Sequence, residues 1–458
     1  MKTNRPTANR AWATALVVVV AAAGVTVLLG MSGTASATPP CNLTVNSENL
    51  AHNAVQSAIN SANPGWRICV GAGSFPEQLH IATKGITLVG AGTASTSIDP
   101  ASVNTTTVDW DSPSAATPLA AVVLVDNTTG VTIAGMTIDG TAASSSIGGC
   151  SPDFVGVDFQ NSSGTLQRAV VTGIQLGPSL LGCQNQLAVY AYTGWFATHN
   201  VSTPVKHVTI GNTVVSVYGK NAITCDDPGL TCTLNADTTT GIGPTSATAQ
   251  NGVQIAYGAV GHLTNTKVSG DNYTGSGSTL DWYGTGAQAT GILLYDPGSG
   301  TTVVHSTVTA CPDPIAEYET TASSVQIVGN SISGDEGYGI VVNGAPGTTA
   351  LIENNTVNQA ATGAPGILVD NGTFNVSRNT VTHVKSTGTN GGSQVVCGTG
   401  SYLSCPSTLS IATAAVQAVS EGIGGPTSLT LWDNTFHFNS LTLATVAMPT
   451  GSVTVLWV

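Results

Sequence analysis

The sequence predicts an all-β solenoid: short strands wound into stacked coils, with a short helix closing the N-terminal end. Three observations lead to it. A four-residue refrain recurs, GNTV ending at Val214, GNSI at Ile332, NNTV at Val357, RNTV at Val381 and DNTF at Phe436. Its asparagines Asn330, Asn355 and Asn379 stand 25 and 24 residues apart, and Ser306 of HSTV stands 24 residues before Asn330. Self-similarity at that period marks stacked repeats. The repeats are rich in Val, Ile and Thr and punctuated by Gly and Asn, the composition of short strands joined by turns. Finally, 41% of the residues are apolar, in regular alternation, and only 8% are charged. That alternation separates a packed chain from a disordered low-complexity one.

In chain order, residues 1–37 read as a secretory signal peptide. Lys2, Arg5 and Arg10 form a basic opening, Ala15 to Met31 is apolar apart from one Thr and two Gly, and Ala35-Ser36-Ala37 supplies a small-residue cleavage site. The cleavage motif favours export and release over a retained anchor, so the protein is expected to be secreted and extracellular. Residues 38–458 then form one domain: a cap over 41–70, repeat coils over about 70–438 and C-terminal strands over 439–458. Eight basic residues remain there against 24 acidic ones, a net charge of −16. Such a surface repels phosphate backbones, which excludes nucleic acid as a partner. It also repels polyanions unless cations bridge. No membrane association is expected after the signal is removed, and the domain is expected to be a monomer.

The segment 49–98 opens the domain. NAVQSAINSA fits a short amphipathic helix with Val55, Ile59 and Ala62 on one face, and Asn63-Pro64-Gly65 ends it. Strands fit RICV, EQLHI and ITLV. GSFPEQLHI followed by KGITLVGAG resembles the opening of right-handed parallel β-helix proteins of the pectin-lyase-like superfamily. GVTIAGMTIDG (130–140), VKHVTIGNTV (205–214), SVQIVGNSISG (324–334) and TFNVSRNTV (373–381) resemble coils of that superfamily. The resemblance covers most of residues 49–438. It implies a single-stranded right-handed parallel β-helix with an N-terminal capping helix. It leaves chemistry open, because that fold hosts lyases, hydrolases, esterases, epimerases and non-catalytic adhesins.

The coil physics points the same way. A coil of about 24 residues buries its apolar side chains only by stacking on its neighbours at the ~4.8 Å strand spacing. Val208 and Ile210, Val325 and Ile327, and Phe374 and Val376 alternate as inward positions must. The recurrent Asn suits a turn at which its side chain bonds backbone groups and stacks on its counterparts. Mature length over repeat length gives roughly ten to twelve coils. Two stretches interrupt the count, one between Val268 and Val308 and one between Val381 and Phe436. The nine cysteines suit disulfides in an exported protein. Proximity pairs Cys225 with Cys232 and Cys397 with Cys405, and more loosely Cys41 with Cys69 and Cys150 with Cys183. Cys311 is the odd one.

Candidate chemistry lies on a second ladder: AITCD (222–226), GVQIA (252–256), GILLYD (291–296), IAEYE (315–319), GIVVN (339–343) and GILVD (366–370). Aligned on its Gly-Ile start, one outward column is expected to hold Asp226, Ala256, Tyr295, Glu319, Asn343 and Asp370. Its neighbour is expected to hold Thr224, Gln254, Leu293, Glu317, Val341 and Leu368. Glu319, Glu317 and Asp296 are the candidate catalytic carboxylates, since paired carboxylates serve as acid and base in glycoside cleavage. Tyr295, Asn343, Trp282 and Lys220 are the candidate substrate-binding residues, aromatic faces being suited to stack on sugar rings. Asp226 and Asp227, in CDDPGLTC, are the candidate metal ligands, for Ca²⁺ neutralising a uronic acid; the competing reading of that loop is an Asx turn. Solvation of the surface competes with every one of these carboxylate roles. His207, His262 and His305 fall near corresponding positions of their coils.

Asp226-Asp227 is similar to the paired aspartates of polygalacturonase-type hydrolases, but the following G-H-G and the R-I-K motif are absent. The Q-D-T-L, D-P-H-D and W-I-D-H signatures of methylesterases, epimerases and pectate lyases are absent too. Two functions stay in view: binding or processing of an extracellular polysaccharide along a lateral groove, as a lyase, glycoside hydrolase or epimerase would, and a non-catalytic binding or adhesion module. Convergence of Glu317, Glu319 and Asp296 with a basic residue in one cleft discriminates between them.

Overall fold

The computed structural model describes residues 39–46, 53–112, 115–201, 203–275, 289–334, 337–358, 364–384, 392–395, 409–412, 414–420, 426–437, 443–447 and 452–457. The compact unit is Cys41–Val458. The predicted signal peptide, Trp282, Cys397 and Cys405 lie outside the described residues.

Each coil contributes a strand to each of three faces. The first face contains Asp153–Gln160, Gln186–Tyr192, Asn221–Asp226, Asn251–Ala256, Thr290–Tyr295 and Asp313–Tyr318, and the second Lys206–Gly211, Leu230–Asn235, Val260–Thr264, Thr301–Val304 and Ser324–Val328. Two long strands, Ile340–Glu353 and Ile367–Ser377, run through the corner and serve both faces. The third face is a separate parallel sheet of 12 strands from Gly73–Phe75 to Thr435–His437, which agrees with the expected coil count. Nearly every pairing joins neighbouring coils in parallel. The exceptions among the described residues are the hairpin Thr107–Ser112 with Ala115–Asp126 and the pair Gly392–Val395 with Leu409–Ala412, both antiparallel.

The inward residues form one continuous column of Val, Ile, Leu and Phe. Val208, Ile210, Ile327 and Val376 are fully buried, and Val325 and Phe374 nearly so, as the alternation predicts. At the N-terminal end the helix Ala54–Ser61 covers this column with Val55 and Ile59. Its first turn has no side-chain cap of its own. Instead the buried Glu77 carboxylate accepts the N–H groups of Val55 (3.0 Å) and Gln56 (2.9 Å). A carboxylate at a helix N-terminus satisfies orphan donors and complements the dipole. The glutamate of GSFPEQLHI therefore fastens the cap to the second coil. Three disulfides, Cys41–Cys69, Cys150–Cys183 and Cys225–Cys232, bear out the expected pairings. Cys311 lies in the core, where its thiol donates to the Thr309 carbonyl (3.4 Å).

The refrain marks the corner between the second and third faces. One residue there adopts a left-handed conformation: Asn265, His305, Gly329, Asn354, Arg378 and Asp433 in successive coils. The next side chain turns inward and ties the coils together. Asn355 Oδ1 accepts the Asn330 N–H and Nδ2 (both 2.9 Å), while its own Nδ2 donates to the Ile327 carbonyl (2.8 Å). Asn379 and Asn434 repeat the arrangement. Towards the N-terminus Ser306 donates its N–H to Asn330 Oδ1 (2.8 Å), and the Thr266 N–H donates to Ser306 Oγ (3.2 Å). Ser306 is thus a member of the ladder, as its spacing predicts. The GNTV copy at 211–214 is one residue out of step. Val214 pairs in the column that continues through Thr238, Lys267, Thr307 and Ser331, so Thr213, not Asn212, occupies the ladder position. Val214 is consequently exposed and Val215 buried.

Asp237 holds the ladder position between Thr213 and Thr266. Its Oδ1 accepts the Thr213 N–H (2.8 Å), and its buried Oδ2 has no hydrogen-bond partner. Burial raises its pKa to about 6, against the backbone hydrogen bonds from Thr213 and Asn235, which lower it. A carboxyl whose folded pKa is raised is stabilising when protonated, and that contribution is lost as pH rises from about 4 through about 6. Asp237→Asn is therefore expected to raise stability at pH 7 by up to about 3 kcal/mol and to change little at pH 4. Asn355→Ala, which strips partners from two coils at once, is expected to cost roughly 3 kcal/mol or more. Denaturant unfolding at the two pH values checks both.

Candidate functional site

The outward side of the first face is built on a repeated kink. At the Gly-Ile start both residues turn inward. A Cβ on Gly291 would lie 2.5 Å from Val308 Cγ1, and one on Gly366 would lie 2.4 Å from Val381 Cγ1. Glycine stands there because the strand approaches the third face too closely for a side chain. The next residue but one then faces out. The outward columns read Asp158, Tyr190, Thr224, Gln254, Leu293, Ala316, Val341, Leu368 and Gln160, Tyr192, Asp226, Ala256, Tyr295, Tyr318, Asn343, Asp370.

The expected columns hold except at one coil. Tyr318, not Glu319, stands between Tyr295 and Asn343, and Ala316, not Glu317, stands between Leu293 and Val341. The strand Asp313–Tyr318 carries Pro314 where its neighbours carry the kink glycine, so the Gly-Ile start gives no anchor there. Glu317 pairs with Leu294 and Val342, the inward column, and is fully buried. Glu319 turns into the following corner, where it accepts from the Ser323 N–H (3.3 Å), the Ser323 hydroxyl and the Thr348 hydroxyl. Ser323 Oγ also lies 3.4 Å from Glu317 Oε1. The structure thus brings Glu317 and Glu319 together, on the inside of the corner. Asp296 lies on the outside, accepting the N–H groups of Thr320 (2.5 Å) and Thr321 (3.0 Å) and the Thr320 hydroxyl. The three carboxylates do not converge on a cleft, and no ion pair joins them to a basic residue among the described residues.

Lys220 precedes the first-face strand at its start. It is half-buried and donates to the Ala249 carbonyl (2.5 Å); burial lowers its pKa to about 8, against the attraction of Asp271. Asp271, its pKa raised by burial to about 8, accepts the Tyr218 hydroxyl (2.5 Å). Asp227 gathers the N–H groups of Thr193 (3.1 Å), Gly194 (2.8 Å) and Trp195 (3.0 Å) on one oxygen and so fastens the helical turn Trp195–Thr198. Burial raises its pKa, and those hydrogen bonds oppose the rise. No group of three metal-ligating side chains occurs among the described residues. The histidines do not stack: His207 pairs with Thr231, His262 with Thr302, and His305 is a left-handed corner residue.

Two features of this face escape the sequence. An amide network spans its centre: Asn221 Nδ2 donates to Thr224 Oγ1 and Gln254 Oε1 (both 3.0 Å), and Asn251 Nδ2 donates to Asn221 Oδ1 (3.0 Å). Gln254 is half-exposed at its edge. Further towards the N-terminus Asp158 is fully buried between Leu124 and Tyr190, and both its oxygens lack hydrogen-bond partners. Burial raises its pKa well above the usual range, with Asp126 adding to the rise. Its register neighbours Leu124 and Tyr190 belong to an apolar cluster with Leu119, Ala121, Val155, Leu187 and Tyr192. Most members of the two columns are buried. The accessible members are Gln160, Gln254, Leu293, Tyr295, Tyr318 and Asn343, with Tyr295 37% exposed and set edge-on to Tyr257 at 5.5 Å.

Residues 221–405 match the family model of the right handed beta helix region. The fold of the chain is a right-handed parallel β-helix. No curated protein matches it. Among solved structures it is similar to the A-module of mannuronan C-5 epimerase AlgE4 of Azotobacter vinelandii, at 14% identity and TM-score 0.48, over 90% of this chain and 100% of that one. It is also similar to the periplasmic alginate epimerase AlgG (10%, TM-score 0.39, 90% and 83% covered) and to a pectin methylesterase from Yersinia enterocolitica (13%, TM-score 0.35, 61% and 78% covered).

A buried carboxyl without donors destabilises the β-helix once it ionises. Its raised pKa means that stability from Asp158 is lost as pH rises. Asp158→Asn is expected to raise the melting temperature at pH 8 and to leave it nearly unchanged at pH 4, as thermal unfolding followed by circular dichroism will read.

Proposed function

We propose that this β-helix is a secreted protein that binds an extracellular polysaccharide along its first face, over the strip Tyr295, Tyr318 and Asn343 with Gln254 and Tyr257 beside it. One observation carries the reading. On a face otherwise buried, the accessible residues are aromatic rings, amides and one leucine, and parallel register places two rings and an amide in one column. Consecutive members lie ~4.8 Å apart, so a sugar chain lying along the helix axis meets a ring or an amide at each step. Tyrosine rings stack on the apolar faces of sugars, and amides bond their hydroxyls. The acidic surface favours a neutral chain, or a uronate chain bridged by Ca²⁺. The three disulfides fit an extracellular or periplasmic protein.

At this strip the reading is binding rather than cleavage. Glu319 and Asp296 are engaged in the corner's own hydrogen bonds, and Glu317 faces the core. Affinity electrophoresis on xylan, pectin, polygalacturonate and alginate, with and without Ca²⁺, tests it. Tyr295→Ala and Tyr318→Ala are each expected to weaken binding about tenfold, the value of one aromatic stack. Unchanged retardation in both variants would refute the strip.

A further inference from the structure

The corner that follows Tyr318 holds a carboxyl pair with one set of donors. Glu319 takes both hydroxyls, from Ser323 and Thr348, and the Ser323 N–H. Glu317 has the Ser323 hydroxyl at 3.4 Å on one oxygen and no partner on the other. Its register neighbours are Leu294 and Val342, both in the apolar core. Among the described residues neither glutamate is in an ion pair. Asp296, on the preceding coil, grips Thr320 and Thr321 from outside. The segment 319–323 is therefore held by Asp296 on one side and by the glutamate pair on the other, with Tyr318 of the binding strip at its start.

We propose that Glu317 and Glu319 form a proton-dependent latch: with one proton on the pair the corner 319–323 is closed and Tyr318 is set in the strip, and loss of that proton releases both. The inference rests on reading the strip as a sugar-binding surface for its functional consequence, though not for the latch itself. The chemistry is a single proton equilibrium. With Glu317 protonated, its hydroxyl is the donor that Glu319 lacks from any cation. Without that proton, two carboxylates share the Ser323 and Thr348 hydroxyls and the Ser323 N–H, the Thr320 and Thr321 N–H groups being taken by Asp296. Two like charges that meet at one hydroxyl, with Glu317 fully buried, oppose each other's ionisation. Burial is the main reason Glu317 holds its proton far above the usual carboxylate range, with Glu319 adding to it as acceptor and as charge. The sign follows: the closed corner is favoured at low pH and lost as pH rises through the raised value.

Hydrogen exchange of the full-length protein between pH 5 and pH 9, corrected for intrinsic rates, reads the latch without ligand. The Thr320, Thr321 and Ser323 amides are expected to lose about tenfold or more of their protection, one pH unit of proton linkage being tenfold. Glu317→Gln, which keeps shape and cannot ionise, is expected to abolish the pH step. Should that variant fail to fold, Glu319→Gln, which leaves the buried Glu317 to titrate but removes the charge beside it, is expected to move the step to lower pH. Wild-type protection that does not change with pH, a step that persists in Glu317→Gln, or a step that stays in place in Glu319→Gln overturns the latch. In parallel, affinity for whichever of xylan, pectin, polygalacturonate or alginate binds best at pH 5 is expected to fall about tenfold by pH 9 in wild type only. An exchange step with flat affinity overturns the coupling to the strip. If none of the four binds at any pH, the sugar reading has failed and exchange alone decides the latch.

Discussion

Everything in this protein depends on coils staying in parallel register. A slip of one residue turns every inward side chain outward, and a coil cannot bury its apolar residues without its neighbours. The asparagine ladder enforces that register directly. Each Asn side chain accepts from the equivalent residue of the coil before and donates to that coil's second-face carbonyl. A buried amide with all its partners fixed is satisfied in one register only, and a shifted coil leaves several buried polar groups unpaired, at about 1–3 kcal/mol each. The left-handed corner residue and the inward amide are thus one device. The first bends the chain and the second locks the bend to its neighbour.

The same register builds the proposed binding strip, since Tyr295, Tyr318 and Asn343 meet only because their strands are aligned. It also explains where polar residues become costly. Asp237 occupies a ladder position with an oxygen where asparagine has a donor. Asp158, Asp271 and Glu317 are carboxyls that the register carries into buried sites. Each holds its proton above the ordinary range because burial opposes the charge. A chain with so few cations has little to pair them with, so protonation is the remaining route to a neutral interior.

Most of the architecture was legible in sequence, and the reason is repetition. The N-T-V spacing, the cap helix, three cysteine pairs and the inward alternation each appear more than once or lie close in the chain. What was lost are single departures from the repeat. At 211–214 the letters of the refrain are right, but the register is shifted, and Thr213 stands in the ladder position. At 313–318 proline replaces the kink glycine. Counting from the wrong anchor put Glu319 in the strip and hid Tyr318. Charge misled as well. A glutamate reads as a surface residue, yet the position of Glu317 in the coil sends it inward.

That misreading matters for function, because it exchanges an acidic groove for an aromatic one. An outward column of carboxylates would have suited a metal or an acid–base pair. A column of Tyr, Tyr and Asn suits a sugar chain held by stacking and neutral hydrogen bonds. The carboxylates are still close by, one layer beneath. In the proposed latch they act on the strip through the corner that both share, not through contact with a ligand. In a solenoid a residue's role is set first by the parity of its position. Its chemistry then operates on whichever side of the wall that parity selects.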